Sequence, residues 1–260
     1  MEEELDNSGF PAWQERTGML VGISGLSKLA SSRVAVIGVG GVGGYAAEML
    51  VRAGVGHILI LDSDDVSLSN RNRQLIALGS TLGRPKCQVL KERLLDINPE
   101  LDIVTVEKFI ISEGSVPDAG FEDSSDTPAA LLDGYSFDYV VDAIDTLSPK
   151  LSLIKYCLDR GIPLVSSMGA GAKFDVTKIR IADISKSFQC PLAHMVRKRL
   201  GKMGIRSGFK AVFSEEIPDR SSIVLEAGRN KKSQVGTISY MPAVFGCACA
   251  QAVIQDLLKD

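Results

Sequence analysis

The stretch RVAVIGVGGVGGYAAEMLVRAGVGHILILDSDDVSLSNRNRQ, residues 33–74, decides the fold of this 260-residue chain. A short run of apolar, β-branched residues at 34–37 is typical of a buried parallel strand. The next segment has apolar residues on one helical face and meets a helix-ending glycine at Gly54. A second apolar run at 58–61 predicts another strand. The order of these segments predicts a βαβ unit.

The turn between the first strand and the helix carries a GxGxxG motif. Its glycines let the backbone approach a phosphate, whose charge is met by free N–H groups at the helix start. Asp62 ends the second strand, 19 residues after Gly43, where a carboxylate accepts hydrogen bonds from ribose hydroxyls. The alternative is a glycine-rich turn that serves packing alone. The candidate phosphate-binding residues are Gly38, Gly40, Gly41 and Gly43.

The segment after Asp62 indicates which nucleotide chemistry to expect. It is polar and carries two arginines, Arg71 and Arg73. A dehydrogenase has no use for them, so NAD-dependent hydride transfer is an alternative that fits only residues 33–62. Arg84 and Lys86, at the start of the next predicted helix, are both expected to return to the mouth that holds Asp62. Cations at that mouth are suited to hold a triphosphate and to neutralise a leaving pyrophosphate.

The rest of the chain predicts an α/β fold: a Rossmann-like, doubly wound, mostly parallel sheet with helices on both faces, plus a small C-terminal extension of strands and a helix. We expect one domain, 1–260, with a nucleotide-binding core at 13–167 and a substrate and dimer extension at 168–260. Residues 112–134 are predicted as a surface loop. The further predicted strands are 101–106, 137–142, 163–167, 178–181, 210–213 and 223–225. The last three of these strands are expected to form a small added sheet. The predicted helices are 26–30, 86–96, 148–160 with Ser148 as N-cap, one from Pro191, and 241–258.

Two aspartates follow the predicted strand 137–142. The carboxyl ends of parallel strands meet at one edge of a sheet, so these carboxylates share an edge with Asp62. Mg²⁺ takes one or two carboxylates together with phosphate oxygens. Asp145 is the first candidate for that metal, with Thr146 beside it in the nucleotide site. Asp142 is the alternative metal ligand, or else an acceptor for backbone N–H groups of the turn.

Composition restricts the partners. The formal net charge is −3, so there is no general attraction for nucleic acid, and RNA contact requires a local basic patch. No acid occurs between Asp183 and Glu215, whereas seven bases do. Such a block predicts contacts with the RNA backbone, and the alternative is a solvated helix face. Its members are Lys186, Arg197, Lys198, Arg199, Lys202, Arg206 and Lys210, of which Arg197, Lys198, Arg199, Lys202 and Arg206 are the candidate RNA contacts.

The location of the protein is predicted from its ends and its cysteines. The acidic N-terminus lacks the apolar segment of a signal peptide. Five scattered cysteines fit a reducing cytoplasm better than a disulfide framework. Residues 233–255 carry no charge, but their polar residues favour a loop and a buried helix over a membrane span. Membrane association is therefore the weaker alternative.

The motifs VxGxGGVG, DxDxVxxxNxxRQ and GxxK resemble the adenylation domain of the ubiquitin-activating-enzyme-like superfamily, which includes the thiazole- and molybdopterin-pathway adenylyltransferases. They cover residues 13–167. The resemblance implies ATP and Mg²⁺, and a homodimer in which Arg16 reaches the partner's ATP site. Trp13 stands where the usual motif has another arginine. The implied ATP-site residues are Asp62, Asp64, Asn70, Arg73, Gln74, Lys86, Asp145 and Thr146, and the implied catalytic residues are Arg73, Lys86, Asp145 and Arg16.

A closer resemblance covers nearly the whole chain, through NRQ, INP, YVVDAID, GAGA and the basic helix after DISKSFQCPL. It is to the family of tRNA threonylcarbamoyladenosine dehydratases. The family implies tRNA as partner: ATP adenylates the threonyl carboxylate of the modified adenosine, and ring closure then releases AMP. That closure needs no enzyme thiol. Cys190 is therefore interpreted as a packed small residue, and a catalytic nucleophile is the alternative.

Two other functions stay open within the superfamily. The first is an adenylyltransferase for a sulfur-carrier or ubiquitin-like protein, with a sulfur-transfer protein as a further partner. Many such activators hold zinc with two CxxC pairs, whereas this chain has only Cys247-Ala248-Cys249, which cannot build a four-thiolate site. The second is a non-catalytic, nucleotide-binding partner subunit.

Overall fold

A central β-sheet forms the framework of the computed structural model, which describes residues 10–111, 126–225 and 233–259. The strands are β1 Arg33–Ile37, β2 His57–Leu61, β3 Asp102–Val106, β4 Tyr139–Asp142, β5 Leu164–Ser167, β6 Ile179–Asp183, β7 Lys210–Ser214, β8 Ile223–Leu225 and β9 Ser233–Val235. The helices are α1 Glu15–Ser31, α2 Gly43–Arg52, α3 Lys86–Ile97, α4 Pro128–Leu132, α5 Leu147–Asp159, α6 Pro191–Lys202 and α7 Tyr240–Leu257.

Seven strands make the main sheet, in the order β3-β2-β1-β4-β5-β7-β6. Within this sheet, as far as the structure describes it, the pairs from β3 across to β7 are parallel, and the pair of β6 with β7 is antiparallel. The strand order reverses between β1 and β4, and ligands of open α/β sheets bind beyond the carboxyl ends of the strands at such a point. The predicted Rossmann-like sheet is confirmed.

Side chains alternate along β1 and feed two apolar layers. Val34 and Val36 pack with α2, α3 and α7 on one face. Ala35 and Ile37 pack with α4, α5 and α6 on the other. Because both faces are covered by helices, the central strands are apolar throughout, which is why β1 and β2 read as continuous hydrophobic runs.

The N-terminal helix is longer than the predicted helix 26–30. It starts at Glu15 and is kinked at Gly22, where φ is 72° and ψ is 172°. The two halves fold together, since a Cβ added to Gly18 would lie 3.0 Å from Leu26. Periodicity identified only the second half because the first half leaves its apolar side chains exposed.

Several other boundaries differ from the prediction. Helix α5 begins at Leu147, and its N-cap is Thr146, two residues before the predicted N-cap Ser148. Helix α4 lies inside the predicted loop 112–134, where Thr127 caps it, while residues 112–125 lie outside the described part of the chain. Of the three strands predicted as an added sheet, β6 and β7 instead extend the main sheet, and β8 pairs with β9.

The uncharged C-terminal stretch forms the predicted buried helix. Phe245, Cys249 and Val253 are buried in the layer that α7 shares with α2. None of the helices in the described part of the chain has the length and apolarity needed to cross a membrane. A buried helix needs few charges because its faces contact protein rather than water.

Candidate active site

The loop that follows β1 is shaped for close approach of a phosphate. Gly38 has a φ of 87°, a conformation that favours glycine. A Cβ added to Gly43 would lie 1.7 Å from the carbonyl oxygen of Gly38, so no larger residue fits there. The amides of Gly40 and Gly41 donate to no acceptor among the described residues, and α2 starts just beyond them. Free N–H groups at a helix start attract anions.

Asp62, directly after β2, joins this glycine loop to the neighbouring strand. Its carboxylate accepts hydrogen bonds from the amide of Val39 at 2.8 Å and from the amide of Asp64 at 2.9 Å. Burial raises the pKa of Asp62, and the charge of Lys86 offsets only part of that effect. A carboxylate has about four lone-pair sites, so two hydrogen bonds leave acceptor capacity for ribose hydroxyls.

Lys86 returns to this mouth, as the sequence predicted. The return segment runs antiparallel to the segment after Asp62: the amide of Lys86 donates to the Asp64 carbonyl at 3.0 Å. The Lys86 amine lies 2.6 Å from Asp64 and 3.6 Å from Asp62, and its side chain is 5% exposed. The prediction that Arg84 also enters the crevice is wrong, because its guanidinium pairs with Glu92 of α3 instead. Lys86 alone therefore brings a cation from this segment into the crevice.

The polar segment between Asp62 and α3 folds into short turns. Asn70 is buried, and its side-chain oxygen accepts from the amide of Ser67 at 3.1 Å, which caps a short 3-10 helix. The guanidinium of Arg73 donates to the carbonyl of Ser69 at 2.9 Å and to Asn72 at 2.8 Å. Asn70 thus shapes the turn, and Arg73 is half-buried beside it.

Gln74 lies against the glycine loop. It is buried, and a Cβ added to Gly40 would lie 3.5 Å from its amide nitrogen. Its amide oxygen, Oε1, has no hydrogen-bond partner in the part of the chain that the structure describes. Arg73 and the first turn of α7 also reach this loop, since a Cβ on Gly41 would lie 3.5 Å from Arg73 and 3.1 Å from Pro242. An unpartnered buried amide at a phosphate-binding loop is a candidate ligand contact.

Asp142 and Asp145, at and just after the end of β4, lie in different surroundings. Asp142 is fully buried, pairs with the amine of Lys150 at 2.7 Å and accepts from the hydroxyl of Ser166 at 2.6 Å. It also accepts from the amide of Ile144 at 3.0 Å. The interpretation of Asp142 as an acceptor for turn amides is confirmed, and its remaining capacity is used by the buried lysine.

Asp145 and Thr146 lie on the rim of the same edge. Asp145 is exposed, and the hydroxyl of Thr146 donates to it at 3.3 Å. Thr146 is also the residue at which α5 begins. Within the described ranges, no cluster of three or more His, Cys, Asp or Glu side chains is arranged to hold a metal ion. A cation at Asp145 would therefore need oxygen atoms from a bound phosphate to complete its coordination.

Comparison with known proteins shows the family of this chain. The family model described as ThiF family matches residues 15–260. The chain belongs to the ThiF family. The tRNA threonylcarbamoyladenosine dehydratase of Bacillus subtilis is 44% identical to it over 253 residues, covering 94% of each chain.

Two structures of one ThiF family member resemble this chain along nearly its whole length. The Escherichia coli tRNA N6-threonylcarbamoyladenosine dehydratase, TcdA, in complex with ATP superimposes with a TM-score of 0.81 at 33% identity, and the match covers 95% of both chains. The same enzyme in complex with AMP gives a TM-score of 0.80. The α/β fold with its mostly parallel sheet is thus that of an adenosine-nucleotide-binding ThiF protein.

Arg16 is the predicted site residue that the structure leaves outside the crevice. Two residues before it, the side chain of Gln14 lies against Gly54, at the edge where β2 begins. The glycine loop lies at the opposite edge, about 16 Å away for a five-residue strand. Arg16 is exposed and forms no ion pair within the described ranges. In this ThiF protein Arg16 does not join its own nucleotide site.

The basic helix α6 lies on the other face of the sheet, beside α5. Arg197 is half-buried and donates to the hydroxyl of Ser187, and Lys210 pairs with Asp256 at 2.6 Å. These two bases are committed to contacts within the protein. The bases that remain exposed are Lys186, Lys198, Arg199, Lys202 and Arg206.

The sequence interpretation missed two buried lysines of this ThiF chain. They are Lys150, the partner of Asp142, and Lys173, and neither is among the predicted site residues. Each stands among apolar or small residues, in PKLSLI and in GAGAKF, which was the available signal. Cys190 is 3% exposed and packs in the apolar layer below α6, as its interpretation as a small packed residue requires.

Proposed function

We propose that this protein is an ATP-dependent tRNA threonylcarbamoyladenosine dehydratase. It activates the threonyl carboxylate of N6-threonylcarbamoyladenosine as an acyl adenylate and then closes a ring with release of AMP. The observation that carries the proposal is the joining of the glycine loop, Asp62 and Lys86 into one crevice, in a chain that matches the Bacillus subtilis dehydratase over 94% of its length.

The chemistry proceeds in two steps. A carboxylate oxygen attacks the α-phosphorus of ATP, the bond to the β-phosphate oxygen breaks, and pyrophosphate leaves. Free amides of the glycine loop and the cations of Lys86 and Arg73 stabilise the negative charge, while Asp62 holds the ribose. The carbamoyl group then attacks the activated carbonyl, loses one proton and displaces AMP. This step is intramolecular, so it gains from proximity without a thiol intermediate.

Nucleoside mass spectrometry of tRNA from cells with and without the protein tests this function. We expect the cyclic nucleoside to disappear without it, and the open N6-threonylcarbamoyladenosine to accumulate. An unchanged nucleoside profile, together with AMP formation on the C-terminus of a sulfur-carrier protein, would favour the carrier-protein activator. ATP binding without AMP formation on any acceptor would favour the non-catalytic subunit.

Mg²⁺ is the metal we assign to Asp145. A single exposed carboxylate beside a phosphate-binding loop fits Mg²⁺, which is usually held by one or two carboxylates plus phosphate oxygens. Such an ion supplies positive charge to the triphosphate. Replacing Asp145 with Asn should raise the Mg²⁺ concentration needed for half-maximal AMP release at least tenfold, with ATP affinity in EDTA unchanged. An unchanged Mg²⁺ requirement would remove Asp145 from this role.

In a homodimer, Arg16 would contact the nucleotide site of the partner subunit. Because Arg16 stands at the edge of the sheet opposite its own crevice, it serves a nucleotide site only across an interface. Helix α1 also exposes apolar side chains beside it: Met19 is 77% exposed, Leu20 is 87% exposed and Ile23 is 58% exposed. Exposed large apolar side chains grouped along one helix are typical of a contact surface. An isologous pair of chains would complete two sites.

Mixing experiments test the dimer. Arg16→Ala and Lys86→Ala chains are each expected to be inactive, and a mixture should recover activity because one site per mixed dimer has both cations. Sedimentation of the wild type gives the mass independently. A monomer by sedimentation, or no recovery on mixing a proven dimer, would mean that Arg16 does not act across an interface.

The tRNA docks on α6 and on the cleft between α5 and α6. This cleft has a volume of about 450 Å³, begins at Leu147 next to the Asp145 rim, and is lined by Lys155, Arg199 and Met203 further along. Exposed bases that lead away from the nucleotide crevice suit an RNA backbone. The block has few aromatic side chains, so it positions RNA rather than reads its bases.

The salt dependence of tRNA binding tests this surface. Replacing Lys198, Arg199 and Lys202 with Ser should flatten the salt slope by about 2–3, since each phosphate contact contributes roughly 0.7–0.9. The matched control replaces three exposed lysines on other elements, Lys28, Lys108 and Lys178, with the same change in charge. Equal slopes for the two triple variants would exclude α6 as the docking surface. ATP affinity should be the same in both.

Location and a second protein partner stay expectations. All five cysteines are free thiols, which fits a reducing cytoplasm, where a tRNA substrate is also found. Imaging of the tagged protein tests this location. A sulfur-transfer protein as partner is testable by size-exclusion chromatography of the two purified proteins, alone and mixed.

A further inference from the structure

Lys173 is a buried amine at the ligand edge of the sheet. It follows β5 by six residues, and β5 lies next to β4 on the side away from β1. The residue is 2% exposed. Within the described ranges no carboxylate forms an ion pair with it. Lysines are almost never fully buried unless they are paired, so this position needs an explanation.

The partners of this amine are a loop and a helix. It donates to the carbonyl oxygen of Gly169 and lies 6.0 Å from the centre of the Phe245 ring in α7. The titratable groups that face it are the Cys190 thiol and the carboxylate of Glu216, which accepts from the amide of Phe174 at 3.0 Å. Burial lowers the pKa of Lys173, and those two groups offset only part of the effect.

The backbone directly before Lys173 is strained. Ala172, directly before it, has a φ of 58°, which is rare for a residue with a side chain. Two hydrogen bonds hold the strained residue: its amide donates to the Gly236 carbonyl at 2.8 Å, and its carbonyl accepts from the Asp219 amide at 3.0 Å. Both the strain and the burial disfavour folding, so something other than packing accounts for this lysine.

The loop that Lys173 holds, residues 169–171, lies between the two halves of the proposed site. On one side, α7 carries Phe245 and also seats the glycine loop, because Pro242 touches Gly41. On the other side, Gly169 lies beside Leu192 at the start of α6, the helix to which the tRNA is assigned. The loop is therefore positioned to contact an acceptor nucleoside that reaches from α6 to the nucleotide.

We infer that Lys173 is a positioning residue for the acceptor: it fixes the loop 169–171 as the seat of the modified nucleoside between the nucleotide crevice and α6. This inference rests on the proposed function. The amine holds the loop by its hydrogen bond to the Gly169 carbonyl. Its contact with the Phe245 ring connects the loop to α7, the helix that also packs against the glycine loop.

The test uses the full-length Lys173→Met protein, with Lys173→Gln as a second variant that keeps a hydrogen-bond donor. We expect kcat for AMP release on modified tRNA to fall ten- to a hundredfold in Lys173→Met and less in Lys173→Gln. The dissociation constant for ATP alone should stay within twofold. The melting temperature should be no lower than that of the wild type, because an apolar side chain replaces a buried amine. Lys178→Met, at an exposed lysine five residues on, is the matched control.

A second perturbation reaches the same loop without touching the lysine. A Cβ on Gly171 would lie 2.7 Å from Val235, whereas one on Gly134, outside the proposed site, would meet nothing within 4 Å. Gly171→Ala should therefore lower kcat, and Gly134→Ala should not. The Lys173→Met and Gly171→Ala double variant should be little slower than either single variant, because both displace one element.

Three results would overturn the inference. They are wild-type kcat in a folded Lys173 variant, a loss of kcat that only follows a loss of ATP affinity or of folded protein, and additive effects of the Lys173 and Gly171 changes. If neither Lys173 variant folds, the amine is structural and the inference fails. If the wild type itself releases no AMP with the modified tRNA, the proposed function fails instead, so the two failures are distinct.

Discussion

Two lysines pair with carboxylates at the same edge of the sheet, and they differ in their access to solvent. Lys150 and Asp142 lie 2.7 Å apart, and neither side chain is exposed. Lys86 and Asp64 lie 2.6 Å apart, but the Asp64 side chain is 68% exposed. The first pair closes the interior behind β4, whereas the second stands at the mouth of the nucleotide crevice.

The difference in solvent exposure indicates which of the two ion pairs is able to exchange its partner for a ligand. Every polar contact of Asp142 is with protein: Lys150, Ser166 and the Ile144 amide. Removing one member leaves a buried charge without compensation. Asp64 is exposed to solvent, so in the proposed function we expect Lys86 to exchange it for a phosphate oxygen at little cost. A sealed pair is thus structural, and an open pair is available for binding.

The largest effect should come from breaking the sealed pair. Lys150→Met leaves Asp142 charged and buried, and we expect a loss of about 3–5 kcal/mol in the free energy of unfolding. Urea denaturation measures it. The double variant Lys150→Met with Asp142→Asn should recover part of the loss, since the neutral amide has no charge to compensate. A double variant less stable than Lys150→Met would contradict the explanation by unpaired charge.

Breaking the open pair should impair the reaction rather than the fold. Lys86→Ala removes the cation that we assign to the triphosphate, and the rate of AMP release should fall about 10²–10³-fold, as for other preorganised electrostatic groups. Arg84→Ala is the matched control two residues earlier, because its guanidinium pairs with Glu92 outside the crevice. Equal turnover of Lys86→Ala and the wild type would exclude this role.

A third carboxylate, Asp256, is intermediate, with its side chain 22% exposed. Burial acts to raise its pKa, but hydrogen bonds from Lys210, Lys259 and Tyr139 outweigh that and lower the pKa to about 2. A lowered carboxyl pKa stabilises the fold above the unfolded-state value of 3.8, and this stability is lost as the pH falls toward 2.

We therefore expect Asp256→Asn to lower the free energy of unfolding at pH 7 by about 2 kcal/mol. The difference from the wild type should shrink between pH 4 and pH 2, as measured by urea denaturation across that range. Asp159→Asn, at an exposed ion pair on α5, is the control that should change little. A constant difference from pH 7 to pH 2 would contradict the assigned ionisation.

The sequence predicted the positions of Asp62, Lys86 and the glycine loop because their spacing follows from strand and helix lengths. It did not separate Asp142 from Asp145, three residues apart, because only the tertiary structure decides which carboxylate faces a buried lysine. Strands β6 and β7 were assigned to the wrong sheet for a similar reason: local alternation indicates a strand but not its neighbour. The kink at Gly22 in α1, the helix that carries Arg16, is also not revealed by periodicity.

The smallest effect should come from Asp64 and would sharpen the comparison most. In the absence of divalent metal, Asp64→Asn should bind ATP more tightly than the wild type, because the nucleotide no longer competes with a carboxylate 2.6 Å from Lys86. An exposed ion pair contributes up to about 1 kcal/mol, so the gain should not exceed about fivefold. Calorimetry in EDTA measures it, with Asp65→Asn as the neighbouring control. Weaker ATP binding by Asp64→Asn in EDTA would mean that this carboxylate contacts the nucleotide itself, and the pair at the mouth would then not be a simple exchange site.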